Sequence, residues 1–289
     1  MALFPSATRK RNCYLAVAAA LVIAIIIAVV IPLAIILPDQ GETGQKSSIL
    51  LPLYIYPATS TTWSPLFDVL EARPELNFIV VINPSSGPGL TQYPDEQYSA
   101  SVAKLNTYSN VRTVGYVRTG YTSRNLSTVA GEVSTYAGWV SNSSGLAMHG
   151  IFFDEVPHTF SADAVQYMHV ANQAVKDATG LQGDKTIIHN PGTVPDARFD
   201  DIHTDITVVF EESYAVYGAK LDSLTALSGP RSRYSYLVHS VPATRATDLK
   251  RFVRQISERA AYLFVTANTE AFYEAFGPGW AAFTDVVPT

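Results

Sequence analysis

GIFFDEVPH, from Gly150 to His158, is the stretch that decides how the rest of the chain is read. A short apolar run, Ile151 to Phe153, ends abruptly in two adjacent carboxylates, Asp154 and Glu155, and a proline follows that stops the strand. Parallel α/β folds carry their chemistry at such C-terminal strand tips, because the loops there vary without disturbing the core. Taken alone, the pair also fits a solvated strand end that caps the next helix. What surrounds it in the chain decides between the two.

Working outward, similar apolar runs recur at Leu50–Tyr56, Phe78–Asn83, Val111–Val117, Ile151–Glu155, Thr186–Asn190, Ile206–Glu211, Tyr234–His239 and Tyr262–Ala267. Between them Thr62–Ala72, Ala162–Thr179, Ala243–Ala260 and Thr269–Phe276 have apolar residues at helical spacing, with Ser161 and Thr269 as N-cap candidates. Strands alternating with helices imply a parallel sheet, and eight strands imply a single closed (β/α)8 TIM barrel. The fifth unit is the weakest, since Gly192–His203 leaves little room for a helix.

In such a barrel all the strand tips face one cleft. In order they supply Tyr54 and Tyr56, Asn83, Tyr116, Asp154 and Glu155, His189 and Asn190, Glu211 and Glu212, His239, and Thr266 with Asn268; Tyr214 follows closely after the sixth strand. Tyrosine faces stack on sugar rings while Asn and His bond hydroxyls, so the ring reads as a carbohydrate cleft. Along the sixth strand alternation puts Thr207, Val209 and Glu211 on one face and Val208, Phe210 and Glu212 on the other. Phe210 belongs against the helices, which aims Glu211 into the mouth and leaves Glu212 outside. On the fourth strand the same reasoning does not choose between Asp154 and Glu155. Acids from the fourth and sixth strands would flank a ligand across the cleft, the arrangement that glycoside hydrolysis requires, and a third carboxylate nearby would raise the pKa of the acid. No ligand spacing for a metal, nucleophile elbow or glycine-rich phosphate loop accompanies them, so neither metal nor cofactor is expected.

The N-terminus carries a separate signal. Cys13–Leu37 contains no charged residue and is long enough to cross a bilayer, too long for the core of a cleaved signal peptide. Arg9, Lys10 and Arg11 precede it, whereas Asp39 and Glu42 follow. The positive-inside rule then gives a cytosolic tail (1–12), a signal anchor (13–37), a polar stalk (38–48) and a hydrolase domain (49–289) facing the secretory lumen or the exterior, as a single-pass type II membrane protein. Setting aside residues 1–40 removes three basic residues and one acid, leaving 17 basic against 24 acidic and a net charge of about −7. That balance excludes nucleic acid as a natural partner. Asn125-Leu-Ser and Asn142-Ser-Ser match the glycosylation acceptor pattern, in keeping with export. The exported part has no cysteine, so its stability rests on its core. A monomer is expected.

LYIYP at Leu53–Pro57, VVINPSSGPG at Val80–Gly89, GYVRTGY at Gly115–Tyr121, GIFFDEVP at Gly150–Pro157 and VVFEESYAVY at Val208–Tyr217 together resemble the spherulin-4 family, classed as glycoside hydrolase family 135. The resemblance spans nearly all of the exported part. It implies a (β/α)8 fold, endo-hydrolysis of α-1,4-linked N-acetylgalactosamine stretches of the fungal exopolysaccharide galactosaminogalactan, and catalytic carboxylates at Asp154, Glu155 and Glu211. In such an α-linked sugar the acetamido group is cis to the leaving oxygen, so it cannot attack from the opposite face. Asp154 is then expected as nucleophile, Glu211 as general acid/base and Glu155 as a pKa-setting or sugar-binding group, with Asp154 and Glu155 interchangeable at this stage. Tyr56, Asn83, Tyr116, Asn190, Tyr214 and His239 are the expected sugar contacts. A non-catalytic carbohydrate-binding or coat protein, and a hydrolase of deacetylated polygalactosamine, are the alternatives.

Overall fold

A computed structural model describes residues 44–243 and 245–289. The expected tail, the apolar span 13–37 and stalk residues 38–43 lie outside these. Among the described residues no helix is long and apolar enough to cross a membrane.

Eight strands form a closed parallel barrel in sequence order: β1 (Ser48–Leu53), β2 (Phe78–Ile82), β3 (Val111–Arg118), β4 (Gly150–Asp154), β5 (Thr186–His189), β6 (Ile206–Ser213), β7 (Tyr234–His239) and β8 (Tyr262–Val265). Helices α1 (Ser64–Ala72), α2 (Glu96–Leu105), α3 (Leu126–Gly138), α4 (Ala162–Asp177), α5 (Tyr214–Thr225), α6 (Ala246–Ser257) and α7 (Trp280–Val286) surround it. Where a helix would follow β5 there is a single 3-10 turn, Ala197–Phe199, in keeping with the short span read from the sequence. Ser161 caps α4 by accepting from the Ala164 N–H, and Asn125 caps α3 by accepting from Ser127. Asn125 and Asn142 are both exposed.

Two expectations are corrected. Thr269–Phe276 is not a helix but a run of bends and turns, and Thr269 caps nothing. Its apolar spacing is real, but the Asn268 amide donates to the carbonyl of Ala275 at 3.0 Å, folding the segment into a loop. The last helix starts only at Trp280. In β6, pairing with β7 jumps from Val208↔Ser235 to Phe210↔Tyr236, so Val209 forms a β-bulge. The bulge reverses the alternation. Thr207 lies beside His189, which points outward to Asn172 of α4, whereas Glu211 points into the mouth. Thr207 and Glu211 therefore do not share a face. Phe210 does pack outward, on Tyr217 of α5, as its size demands.

Strand packing fixes β4 too. Phe152 pairs with Tyr116 of β3 and stacks on it within the barrel, while Phe153 pairs with His189 on the outside. Asp154, two residues beyond Phe152, inherits the inner face. At Gly150 a Cβ would lie 2.0 Å from the Thr186 carbonyl oxygen, so the β4–β5 approach requires glycine there.

Candidate active site

The tips of β3, β4, β5 and β6 converge on one hydrogen-bonded cluster. The Asn190 side-chain N–H group donates to Asp154 Oδ1 at 2.8 Å and to Glu211 Oε2 at 2.6 Å. Its own oxygen accepts from the Gly192 N–H at 3.0 Å, which fixes the amide so that its nitrogen faces both acids. Gly192 has φ of +68°, a left-handed conformation that glycine adopts without strain, and its carbonyl accepts from the Glu211 N–H at 2.9 Å. With legs of 2.8 and 2.6 Å to one nitrogen, the two carboxylate oxygens are at most about 5.4 Å apart.

Each acid has its own tyrosine. Tyr116 donates to Asp154 Oδ2 at 2.7 Å, and Tyr273, from the loop after β8, donates to Glu211 Oε1. Tyr54 lies edge-on between the two rings, with centroids 5.5 Å from each. Desolvation raises the pKa of both acids. Asp154 is pulled back by hydrogen bonds from Tyr116, the Glu155 backbone and Asn190, and by the Arg118 charge. Glu211 is pulled back by Tyr273 and Asn190, but it feels the negative charges of Asp154 and Glu212. Burial is the first cause at both acids; repulsion from Asp154 and Glu212 adds to it at Glu211, whereas the Arg118 charge opposes it at Asp154.

Glu155 stands apart. Its backbone is left-handed, with φ of +52°, and its carbonyl accepts from the Thr119 hydroxyl and the Tyr121 N–H, both at 2.7 Å. Its carboxylate lies 3.8 Å from the Arg118 guanidinium, at the rim. Of the other expected contacts, Tyr116 and Asn190 join the acids directly. Tyr56 sits further out, half exposed, with its hydroxyl on Asp95. Asn83 accepts from the Gly87 N–H and so braces its own loop. Tyr214 packs edge-on against Phe252 of α6, on the helical layer and away from the acid pair. His239 stacks on Phe272, with centroids 3.7 Å apart. His189 bonds Asn172 behind the strand, and burial pushes its pKa down to about 4, so it is a neutral structural histidine. Tyr54, visible as a strand tip, and Tyr273 were absent from the expected contacts. Tyr273 lay within the segment read as a helix, and no sequence signal joins it to Glu211, 62 residues away. Among the described residues no group of three or more His, Cys, Asp or Glu side chains is placed to hold a metal ion.

These features define a (β/α)8-barrel protein with a bridged carboxylate pair at its C-terminal mouth. Residues 48–287 match the model of the spherulation-specific family 4, Spherulin4, and the chain belongs to that family. It is 40% identical to Sph3 of Aspergillus clavatus, whose crystal structure is in complex with GalNAc, with a TM-score of 0.81 over 85% of this chain and 99% of that one. The YdhT protein of Bacillus subtilis (10% identity, TM-score 0.53, 85% of this chain and 84% of that) shares the fold alone. So does the Bacillus subtilis mannanase BCman (11% identity, TM-score 0.51, 85% and 87%). No curated protein matches the chain.

Proposed function

We propose that this protein is an endo-acting glycoside hydrolase that cleaves α-1,4-linked N-acetylgalactosamine stretches of an exopolysaccharide. The observation that carries the reading is the Asn190 bridge, which holds Asp154 and Glu211 close together at the barrel mouth. Family membership and the GalNAc bound by the Aspergillus relative support the sugar class. A separation of at most about 5.4 Å between the bridged oxygens favours retention, for which carboxyl groups roughly 5–5.5 Å apart are usual.

In this mechanism Asp154 attacks the anomeric carbon as Glu211 gives its proton to the leaving glycosidic oxygen. The bond to that oxygen breaks and a glycosyl–Asp154 ester forms. Glu211, now ionised, takes a proton from water, which hydrolyses the ester with net retention. Glu155, on the rim with Arg118, binds sugar rather than attacking it. No cofactor enters. The apolar span 13–37 supports a membrane-anchored protein with its barrel outside the cytosol, where such a polymer is found.

The test is incubation of the full chain in detergent with purified acetylated and deacetylated polymer, beside Asp154→Asn and Glu211→Gln. Release of acetylated oligosaccharides, lost in both variants, is expected. Binding without release in the unmodified protein would make it a carbohydrate-binding protein, and release from deacetylated polymer alone would change the substrate.

A further inference from the structure

Two features beyond the acid pair share one cleft. The first is the space left where no helix follows β5. Between the loop after β5, the end of β6 and the flank of α5 lies a cleft of about 330 Å³, which reaches from Glu211 past Gly192 and Glu212 to Lys220 and Ser223. That volume lies in the usual range of small-ligand sites, roughly 300–1,000 Å³. Lys220, at its outer end, forms no ion pair with the described residues.

The second feature is Tyr121, which lines the inner end of the same cleft. The residue is 61% exposed, high for a large aromatic. The backbone beneath it is costly. Gly120, Tyr121 and Thr122 are three consecutive left-handed residues, with φ of +61°, +51° and +72°. For the two non-glycine residues this is a strained conformation, because the side chain crowds the following carbonyl. The Glu155 carbonyl, itself in left-handed backbone, accepts from the Tyr121 N–H at 2.7 Å and holds the strained turn in place. The fold thus spends strain on displaying an aromatic face beside the acids.

We infer that this cleft is an additional saccharide subsite, which seats a further unit of the polymer leading away from Glu211, with Tyr121 as its stacking platform and Lys220 as its selector for acetylated units. The inference rests on the glycosidase reading. A sugar ring lies flat on the Tyr121 face as its hydroxyls reach Glu212. At the outer end the Lys220 ammonium donates to an acetamido carbonyl, but it repels the ammonium of a deacetylated unit. The positive end of a cleft whose inner end is acidic makes the chain's direction and acetylation legible to the protein.

The experiment is calorimetric titration of the full chain carrying Glu211→Gln, which keeps the ligand intact, with α-1,4-N-acetylgalactosamine oligosaccharides of increasing length and with their deacetylated forms. Affinity should rise with length. Adding Tyr121→Ala should weaken the longer ligands by up to about tenfold, the upper end of what one aromatic contact supplies. Ser223→Trp, on the exposed face of α5, should fill the outer cleft and remove the same gain without touching Tyr121. Lys220→Glu should lower affinity for acetylated ligands and raise it for deacetylated ones, by up to about fivefold for an exposed charge. A length-dependent gain that survives both Tyr121→Ala and Ser223→Trp overturns the subsite with the glycosidase reading intact. An acetylation preference unmoved by Lys220→Glu overturns the selector role. No binding of any oligosaccharide overturns both the subsite and the reading beneath it.

Discussion

Asn190 gives one N–H to each of two acids, and that sharing sets the pair's behaviour. Both carboxyls have raised pKa values, so between the ordinary carboxylate range and these raised values the folded protein binds more protons than the unfolded chain. Stability must then fall as pH rises through that window. Asp154→Asn and Glu211→Gln each remove one of the facing charges. They should cut turnover by at least about 100-fold, yet raise unfolding stability at neutral pH by up to about 1 kcal/mol. Urea unfolding beside turnover checks this, and a loss of stability in both variants would contradict the assignment. Tyr273→Phe takes away a donor that holds Glu211 down, so the basic limb of the pH–rate profile should move to higher pH. A basic limb that stays in place would mean that Glu211 is not the proton donor. At this scale the sequence disclosed Asp154, Glu211, Tyr116 and Asn190 because each sits at or just beyond a strand tip, where an eight-strand count brings them together. It could not disclose Tyr273, whose position depends on how a loop folds and not on any period in the chain.

Among the elements, β4 and β6 carry the acids and each has a local device that aims them. For β4 it is Gly150, which lets β5 approach closely. Gly150→Ala would drive a Cβ into the Thr186 carbonyl and should cost about 1–3 kcal/mol, read by urea unfolding, with activity lost in proportion to the unfolded fraction. A variant of wild-type stability would mean that the strands part without penalty. For β6 the device is the bulge at Val209. Period-two reasoning located Glu211 correctly only because Phe210, next to it, is too large and apolar for the mouth; the count from Thr207 has the opposite phase. Strands were legible because their apolar runs are continuous and evenly spaced. A bulge was not, since one extra residue leaves no mark in composition. The Thr269–Phe276 loop has apolar spacing like a helix, but the Asn268 side chain claims the carbonyl of Ala275 there.

Across the whole molecule the barrel closes between β1 and β8, which pair through two residue positions, Ser48↔Tyr262 and Ile49↔Leu263, as few as join β5 to β6. Arg231 reinforces that seam from below. Its guanidinium donates to the carbonyls of Lys46, Ser257 and Ala260 and to the Ser47 hydroxyl, at 2.8–3.0 Å. Arg231→Met would leave these acceptors without their donors and should lower stability by about 2–3 kcal/mol, with Arg231→Lys a poor substitute because one ammonium cannot span them. Thermal unfolding of both variants checks this, and equal stability of the lysine variant would show that charge alone holds the seam. The same seam places both ends of the described chain together: the Ser47 N–H donates to the Pro288 carbonyl at 2.8 Å, at the end of the barrel opposite the acids. A molecule fixed to a bead or a sensor chip close to Ser47 or Pro288 therefore turns its reactive end toward the solution. Immobilisation by that end leaves the way open for a polymer too large to turn around inside a crowded layer, whereas coupling through Lys220, in the cleft beside Glu211, would block it.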